Sequence, residues 1–494
     1  MLRYLGDPSV QAAQEARRAS ERVGRRRALP MEGLAATTSA LNNIANSGGT
    51  GTAYSTANET QLSQALANIV AGAIKPEVCD NTDNNCNGCT DEGFAHYCDV
   101  QPVAADCCAT NLPSPPNPTP AWYKLLWLRK HEPETLKRTA HVVDVAGYLI
   151  QKLTGEWATS WACADPLGLV DLQRFDYDDK LLEQAGLDRS KVSKLLPPGA
   201  VAGPVLPEIA RELGLPQGLP VVVGAGDGQS AGLGCNVTRP GRAYLNIGTG
   251  TVSGVYAESY SHAMAYRTMG GPVPGTYILE TFIGGGTQNI VWFVEQLAGI
   301  DAKSLKPGET PEQVLERMAA DVPEGAGQLL CLPYWTGAMT PYWDGHARGA
   351  FVGLSGLHGK GHMYRAILEA IALEERLLTT GVESATGRLL DEIVLLGGGA
   401  RSPLWCQIIA NVLGRTVRLA REQESTALGA GIHAAAAAGL FPGLREAADA
   451  MTGVSKSFTP DQTSHDRYSG IFEAYRSIYP GLKTTFRLIS EKTP

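Results

Sequence analysis

From residue 121 onward the chain alternates short apolar runs with amphipathic stretches and glycine turns, a pattern that predicts an α/β protein. Arg242–Ser253 (RAYLNIGTGTVS) reads as strand, Gly-Thr turn, strand. Phe282–Trp292 (FIGGGTQNIVW) sets three glycines ahead of a helix, and Glu392–Gly414 reads as a buried strand, a glycine turn and a helix start. Upstream, the β-branched run Val221–Val223 predicts a buried strand, broken by Gly224 and Gly226. The small-residue stretch Ser230–Gly234 can then open a helix that packs closely on its neighbours. Asp227 stands between strand and helix, a position that would hold a carboxylate rigidly and exposed at the end of a sheet.

The first 120 residues have another texture. Residues 1–74 form a poorly defined region with helices. Within it, residues 1–30 read as a short solvated helix rich in Ala, Arg and Glu, and Leu62, Leu66, Ile69 and Val70 share one face of a second helix. Glu15 and Glu21 interrupt the early arginines, which argues against a basic targeting arm. Residues 75–112 are cysteine-rich, and residues 113–120 (PSPPNPTP) are a stiff linker of polyproline character.

At 494 residues with 44% hydrophobic content, the chain has room for two to four domains with real cores. A net charge of −8 argues against a nucleic-acid partner. No run approaches the roughly 18 apolar residues that span a bilayer, so no membrane partner is expected. No apolar segment precedes residue 30, so a cytoplasmic location is expected. Six of the ten cysteines lie between Cys79 and Cys108, while Cys163, Cys235, Cys331 and Cys406 are scattered. The cluster suits an oxidising compartment and the scattered four a reducing one.

Inside the cluster, Asp83, Asn85 and Asn87 alternate as oxygen ligands, Gly88 supplies a sharp turn, and Asp91 and Glu92 follow. This matches the first half of an EF-type Ca2+ loop, but Phe94 stands where the closing acid belongs. A disulfide-stapled Ca2+ loop and a plain disulfide knot fit equally. Zinc through Cys86 and Cys89 fits less well, because no second pair follows at ribbon spacing. The segment resembles cysteine-bearing metal-binding repeats of secreted bacterial surface proteins. A non-catalytic binding module is therefore the alternative function for the whole chain.

The α/β part offers different chemistry. Asp227 reads either as a helix cap or as a general base that takes a proton from a substrate hydroxyl. The amides of Gly248 and Gly250 and the hydroxyls of Thr249 and Thr251 can receive the terminal phosphates of a nucleotide, or the segment is a simple hairpin. Gly285 and Gly286 serve either tight packing or a ligand's flat surface. Gly397, Gly398, Gly399 and Ala400 would let an adenosine approach the main chain, with Ser402 near the following helix start. The last segment is neither a Walker A loop nor a Rossmann turn, since it lacks both spacings.

Gly349–Glu369 (GAFVGLSGLHGKGHMYRAILE), including the spacing from Gly353-Leu354 to His362, resembles the carboxy-terminal signature of the FGGY carbohydrate kinases. Thr340–Asp344 (TPYWD) and Lys124–His131 (KLLWLRKH) are similar to further family segments, with Ala121 where Pro, Ser or Thr is usual. The similarity runs from about Trp122 to about Lys483. It implies an actin-like ATPase (ribonuclease H-like) fold of two lobes, with residues 121–240 as a partial first lobe and 241–494 as the nucleotide-binding lobe. It further implies ATP and Mg2+, a sugar or polyol substrate, and Asp227 as catalytic base. Gly248–Thr251 would be a phosphate-binding hairpin and Gly397–Ala400 the adenosine motif, while Glu424–Gly431 would pack a helix against the nucleotide lobe. A homodimer stays open, and residues 122–176 lean towards xylulokinase-like members.

One departure matters. Family members carry a glycine-rich Asp-x-Gly-Thr hairpin at the start of the first lobe that helps position Mg2+ and phosphates. Gly48–Thr52 has neither the aspartate nor a leading strand, and no other segment matches. The expected consequences are impaired phosphotransfer and a first lobe with an unpaired sheet edge and exposed apolar surface.

Overall fold

The computed structural model describes residues 120–492 apart from 302–304. All of them belong to the unit Pro76–Pro494. The regions read above as 1–74 and 75–112, with the Ca2+-loop residues Asp83, Asn85, Asn87 and Asp91, and all but the last residue of the 113–120 linker lie outside the described residues.

Seven strands form the one large sheet among the described residues: β1 (Arg242–Ile247), β2 (Thr251–Ala257), β3 (Arg267–Gly270), β4 (Tyr277–Ile283), β5 (Glu392–Leu396), β6 (Val417–Ala420) and β7 (Val454–Phe458). Their spatial order is β7-β6-β5-β1-β2-β4-β3. The β1–β2, β2–β4 and β4–β3 pairs are antiparallel, and β5 joins β1 and β6 in parallel. The short links between β1 and β2 permit hairpins, whereas β5 arrives parallel only after a long crossover.

Eight helices support this sheet: α1 (Asp227–Gly234), α2 (Thr287–Phe293), α3 (Pro311–Ala320), α4 (Lys360–Thr386), α5 (Pro403–Leu413), α6 (Ser425–Ala437), α7 (Leu444–Met451) and α8 (Gln462–Lys492). The unbroken buried run from Tyr364 to Glu375 in α4 shows a helix enclosed on every side. It packs between α3, α5 and strand β4, and its ends are set by Gly359 and by Gly387 in the left-handed region. The family-like signature Gly349–Glu369 thus builds the entry to this central helix.

The first-lobe residues make no comparable sheet. Their strands pair only in twos: Ala158–Ser160 with Lys194–Leu196, Val170–Asp171 with Asp176–Tyr177, and Val201–Pro204 with Pro220–Val222. Trp122, Leu169, Leu172 and Leu182 form a small core that Tyr277 of β4 enters, its hydroxyl donating to the Leu172 carbonyl at 3.0 Å. On helix Val145–Thr154, Val145, Tyr148 and Leu149 stay exposed on one face. The strand expected at Val221–Val223 is the second arm of a two-stranded ribbon and only Val223 is fully buried, because β-branched residues favour extended backbone without choosing its partners.

Candidate active site

Asp227 is the first residue of α1, so the helix starts three residues before the expected Ser230. Gly226 occupies the cap position, and Asp227 Oδ1 accepts a hydrogen bond from the Gly228 amide at 2.8 Å. The carboxylate is exposed. The loop beneath it is held from several directions. The buried Gln229 side chain donates to the Ala162 carbonyl at 3.1 Å, and the Ser230 hydroxyl donates to the Ala225 carbonyl at 3.2 Å. The Thr426 hydroxyl of α6 reaches the Asp227 carbonyl at 3.4 Å.

Helices α1 and α6 cross at backbone contact. A Cβ at Gly234 would lie 1.9 Å from the Ser425 carbonyl oxygen, and one at Gly429 would lie 1.9 Å from the Ser230 carbonyl oxygen. No side chain larger than hydrogen fits at either point. This explains the small-residue composition of both segments and fixes α1, with Asp227 at its tip, against the sheet.

Below the Asp227–Gly228 turn runs a cross-strand row: Tyr244 of β1 faces Gly254 of β2, which faces Glu280 of β4, which faces Arg267 of β3. Arg267 pairs with Glu280 at 2.6 Å. From the first lobe, Asp165 Oδ2 accepts the Gly270 amide at 3.0 Å. Burial lifts the Asp165 carboxyl to about 7 against the pull of Arg267 and the Gly270 amide. Burial also raises Glu280, with Arg267 holding it down and Asp227 adding to the rise. Sequence reasoning missed this row. Its one available signal was a single carboxylate in the otherwise uncharged strand Tyr277–Ile283.

The Gly248-Thr249-Gly250 turn joins β1 to β2, with Ile247 opposite Thr251. Helix α2 docks on its carbonyl side: the Thr287 amide and hydroxyl donate to the Gly248 carbonyl at 2.8 and 2.9 Å, and the Gln288 amide donates to the Thr249 carbonyl at 3.2 Å. The groups left for a ligand are the turn amides and the exposed Thr249 hydroxyl. The Thr251 hydroxyl is buried without a hydrogen-bond partner among the described residues, on the same strand face as Ser253. Gly285 and Gly286 are tightly packed against protein atoms. A Cβ at Gly286 would sit 2.5 Å from the Gly248 carbonyl oxygen, and one at Gly285 would sit 2.4 Å from Asn289 Nδ2.

The glycine turn after β5 abuts the end of β1. Gly397 has φ +88°, and a Cβ there would lie 2.4 Å from Asn246 Oδ1. Gly398 meets nothing within 4 Å, whereas Gly399 is wedged against Ile247 and Trp405 and Ala400 is buried. Ser402 caps α5 by accepting the Trp405 amide at 3.1 Å and donates to Glu316 at 2.5 Å, so its hydroxyl is already engaged. The Gly248–Gly250 turn and the open Gly398 turn therefore end adjacent parallel strands, the position where open α/β sheets bind ligands. Among the described residues no group of three or more His, Cys, Asp or Glu side chains is placed to hold a metal ion, and Cys163, Cys235, Cys331 and Cys406 are free thiols. No described helix is long and apolar enough to cross a membrane.

Comparison with known proteins places the chain in a family. The model of the FGGY family of carbohydrate kinases, N-terminal domain, matches residues 112–234, and that of the C-terminal domain matches residues 243–438. The xylulose kinase of Bacillus subtilis is 28% identical over 375 residues, spanning 73% of this chain and 70% of its own length. The autoinducer-2 kinase of Enterobacter sp. is 30% identical over 373 residues, spanning 72% and 68%. The ligand-bound xylulose kinase structure from Lactobacillus acidophilus superimposes with a TM-score of 0.70 at 26% identity, covering 76% of this chain and 75% of that one. The chain belongs to the FGGY family of carbohydrate kinases.

Proposed function

We propose that the chain transfers the γ-phosphoryl group of ATP to a hydroxyl of a sugar or polyol, with Asp227 as general base. The observation that carries this reading is Asp227 itself: an exposed carboxylate on a helix tip locked by α6, on the sheet whose neighbouring strand ends bear the phosphate turn and the open Gly398 turn.

The acceptor hydroxyl gives its proton to Asp227 as its oxygen attacks the γ-phosphorus in line. The protein's task is then positioning and charge neutralisation. The Gly248–Gly250 amides and the Thr249 hydroxyl meet the phosphate oxygens, and the nucleoside lies over Gly398, where no protein atom intervenes. Mg2+ enters with ATP as part of the substrate and neutralises phosphate charge. The sequence supplies no Asp-x-Gly-Thr hairpin from the first lobe, so one set of phosphate donors acts without its counterpart. Loss of a preorganised donor typically costs about 100- to 1000-fold in rate, and slow turnover is expected. A ketose is the favoured acceptor, in keeping with the sugar that the Bacillus subtilis relative is named for.

ADP release across a panel of ketoses, polyols and aldonates tests the reading. Asp227→Asn should keep its melting temperature and lose at least ~100-fold in kcat, the usual range for a general base. Near-normal transfer by that variant would remove Asp227 from the mechanism.

A further inference from the structure

We propose that Tyr244 and Glu280 are positioning residues for Asp227, forming a polar floor under the Asp227–Gly228 turn that Arg267 of β3 and, from the first lobe, Asp165 brace. This rests on the reading of Asp227 as the base.

The floor is defined by what lies under Gly228. A Cβ there would stand 3.0 Å from the Tyr244 hydroxyl and 3.3 Å from Glu280 Oε1, so both polar atoms converge on the residue after the base. The Tyr244 ring is held flat by Gly254 below, where a Cβ would come within 2.2 Å of it, and by Gly232 of α1 above. The ring therefore has one orientation, and only the hydroxyl proton is free to turn.

That hydroxyl is buried and has no hydrogen-bond partner among the described residues, and neither has Arg267 Nε. A buried donor without a partner is unfavourable, and each such group calls for an explanation. Phosphotransfer supplies one. When the acceptor proton reaches Asp227, the charge on the turn changes by one, and the groups below must respond without moving the backbone. A rotatable hydroxyl does this by turning its dipole towards Glu280 or towards the turn, without a hydrogen bond to either at rest. The Arg267 pair holds Glu280 in place at 2.6 Å, and the Asp165 carboxylate ties the end of β3 to the first-lobe segment that also receives Gln229.

Tyr244→Phe separates this role from a merely structural one, because deleting an unpartnered hydroxyl should leave the melting temperature unchanged or slightly higher. The expected result is a roughly tenfold or larger fall in kcat with KM for ATP unchanged, and at least tenfold faster hydrogen exchange at the Gly228–Ser230 amides. Glu280→Gln should do the same, and Arg267→Lys should recover what Arg267→Met loses. Asp227→Asn is measured alongside. If it stays active, the base reading fails. If it is inactive while Tyr244→Phe and Glu280→Gln match wild type in kcat and in exchange, the base stands and the floor is refuted. The exchange measurement decides the matter even where no sugar of the panel is turned over, and Tyr244→Phe decides it if Glu280→Gln fails to fold.

Discussion

Glu375, deep in α4, gives a prediction whose size follows from the structure. Its carboxyl is almost fully buried; Ser253 of β2 hydrogen-bonds to it, and the Thr379 hydroxyl donates to Oε1 at 3.3 Å. Oε2 has no partner among the described residues. Burial is the largest influence and lifts the group from its ordinary 4.5 to about 8, with Glu374 next to it adding to the rise. The folded state therefore keeps a proton that the unfolded chain releases. Below the ordinary value both states are protonated and nothing is lost. Between there and pH 8 the folded state binds more protons, so stability falls as pH rises. At ~1.4 kcal/mol per pH unit the ceiling is roughly 5 kcal/mol, and relaxation around a real buried carboxyl leaves about 2–3 kcal/mol. Glu375→Gln mimics the protonated group and removes this dependence. Denaturant unfolding should find the variant within about 0.5 kcal/mol of wild type at pH 5 and more stable by about 2–3 kcal/mol at pH 8. Equal destabilisation at both pH values would mean that the carboxyl is ionised and favourably solvated in the fold, and would refute the reasoning.

Two further substitutions probe the site through its glycines. Gly429→Ala places a methyl group against the Ser230 carbonyl and pushes α1 from α6. It should cost about 1–3 kcal/mol by overpacking and lower kcat more than KM, both readable from unfolding curves and steady-state kinetics. Gly398→Ala meets no protein atom within 4 Å and has an ordinary backbone, so stability should stay within about 0.5 kcal/mol while affinity for ATP, measured by calorimetry, falls about tenfold or more. Unchanged ATP affinity would move the nucleoside elsewhere.

What the sequence disclosed depended on whether a constraint is local. Gly397 was legible because its positive φ and its approach to Asn246 leave no other residue possible, and such constraints surface directly as glycine clusters. At Gly285, Gly286 and Gly399 protein atoms already crowd the place of a Cβ, so close packing alone accounts for these glycines. Glycine shows that something is near without showing what. Ser402 was placed correctly at a helix start, and that placement is what commits its hydroxyl to capping. Thr251 differs from Thr249 for a periodic reason: alternation along β2 puts it on the interior face with Ser253, one residue past the turn.

The row under Asp227 was beyond reach of any local pattern. Tyr244, Glu280 and Arg267 meet only because β2 inserts between β1 and β4 and because the antiparallel register sets Glu280 opposite Arg267. Sheet order and register are decided by which faces bury together, not by the strands singly. Asp165 adds a contact from more than a hundred residues away in sequence, closed through the Gly270 amide. The proposed base and its proposed support are therefore encoded differently. Asp227 is announced by the glycines on either side of it, whereas the groups that hold it are polar exceptions in strands that otherwise read as core. A lone carboxylate in a central strand is costly to bury unless paired, and Glu280 is paired with Arg267 at 2.6 Å. Glu280 so paired lies one layer beneath Gly228, next to the residue proposed to gain and lose a proton.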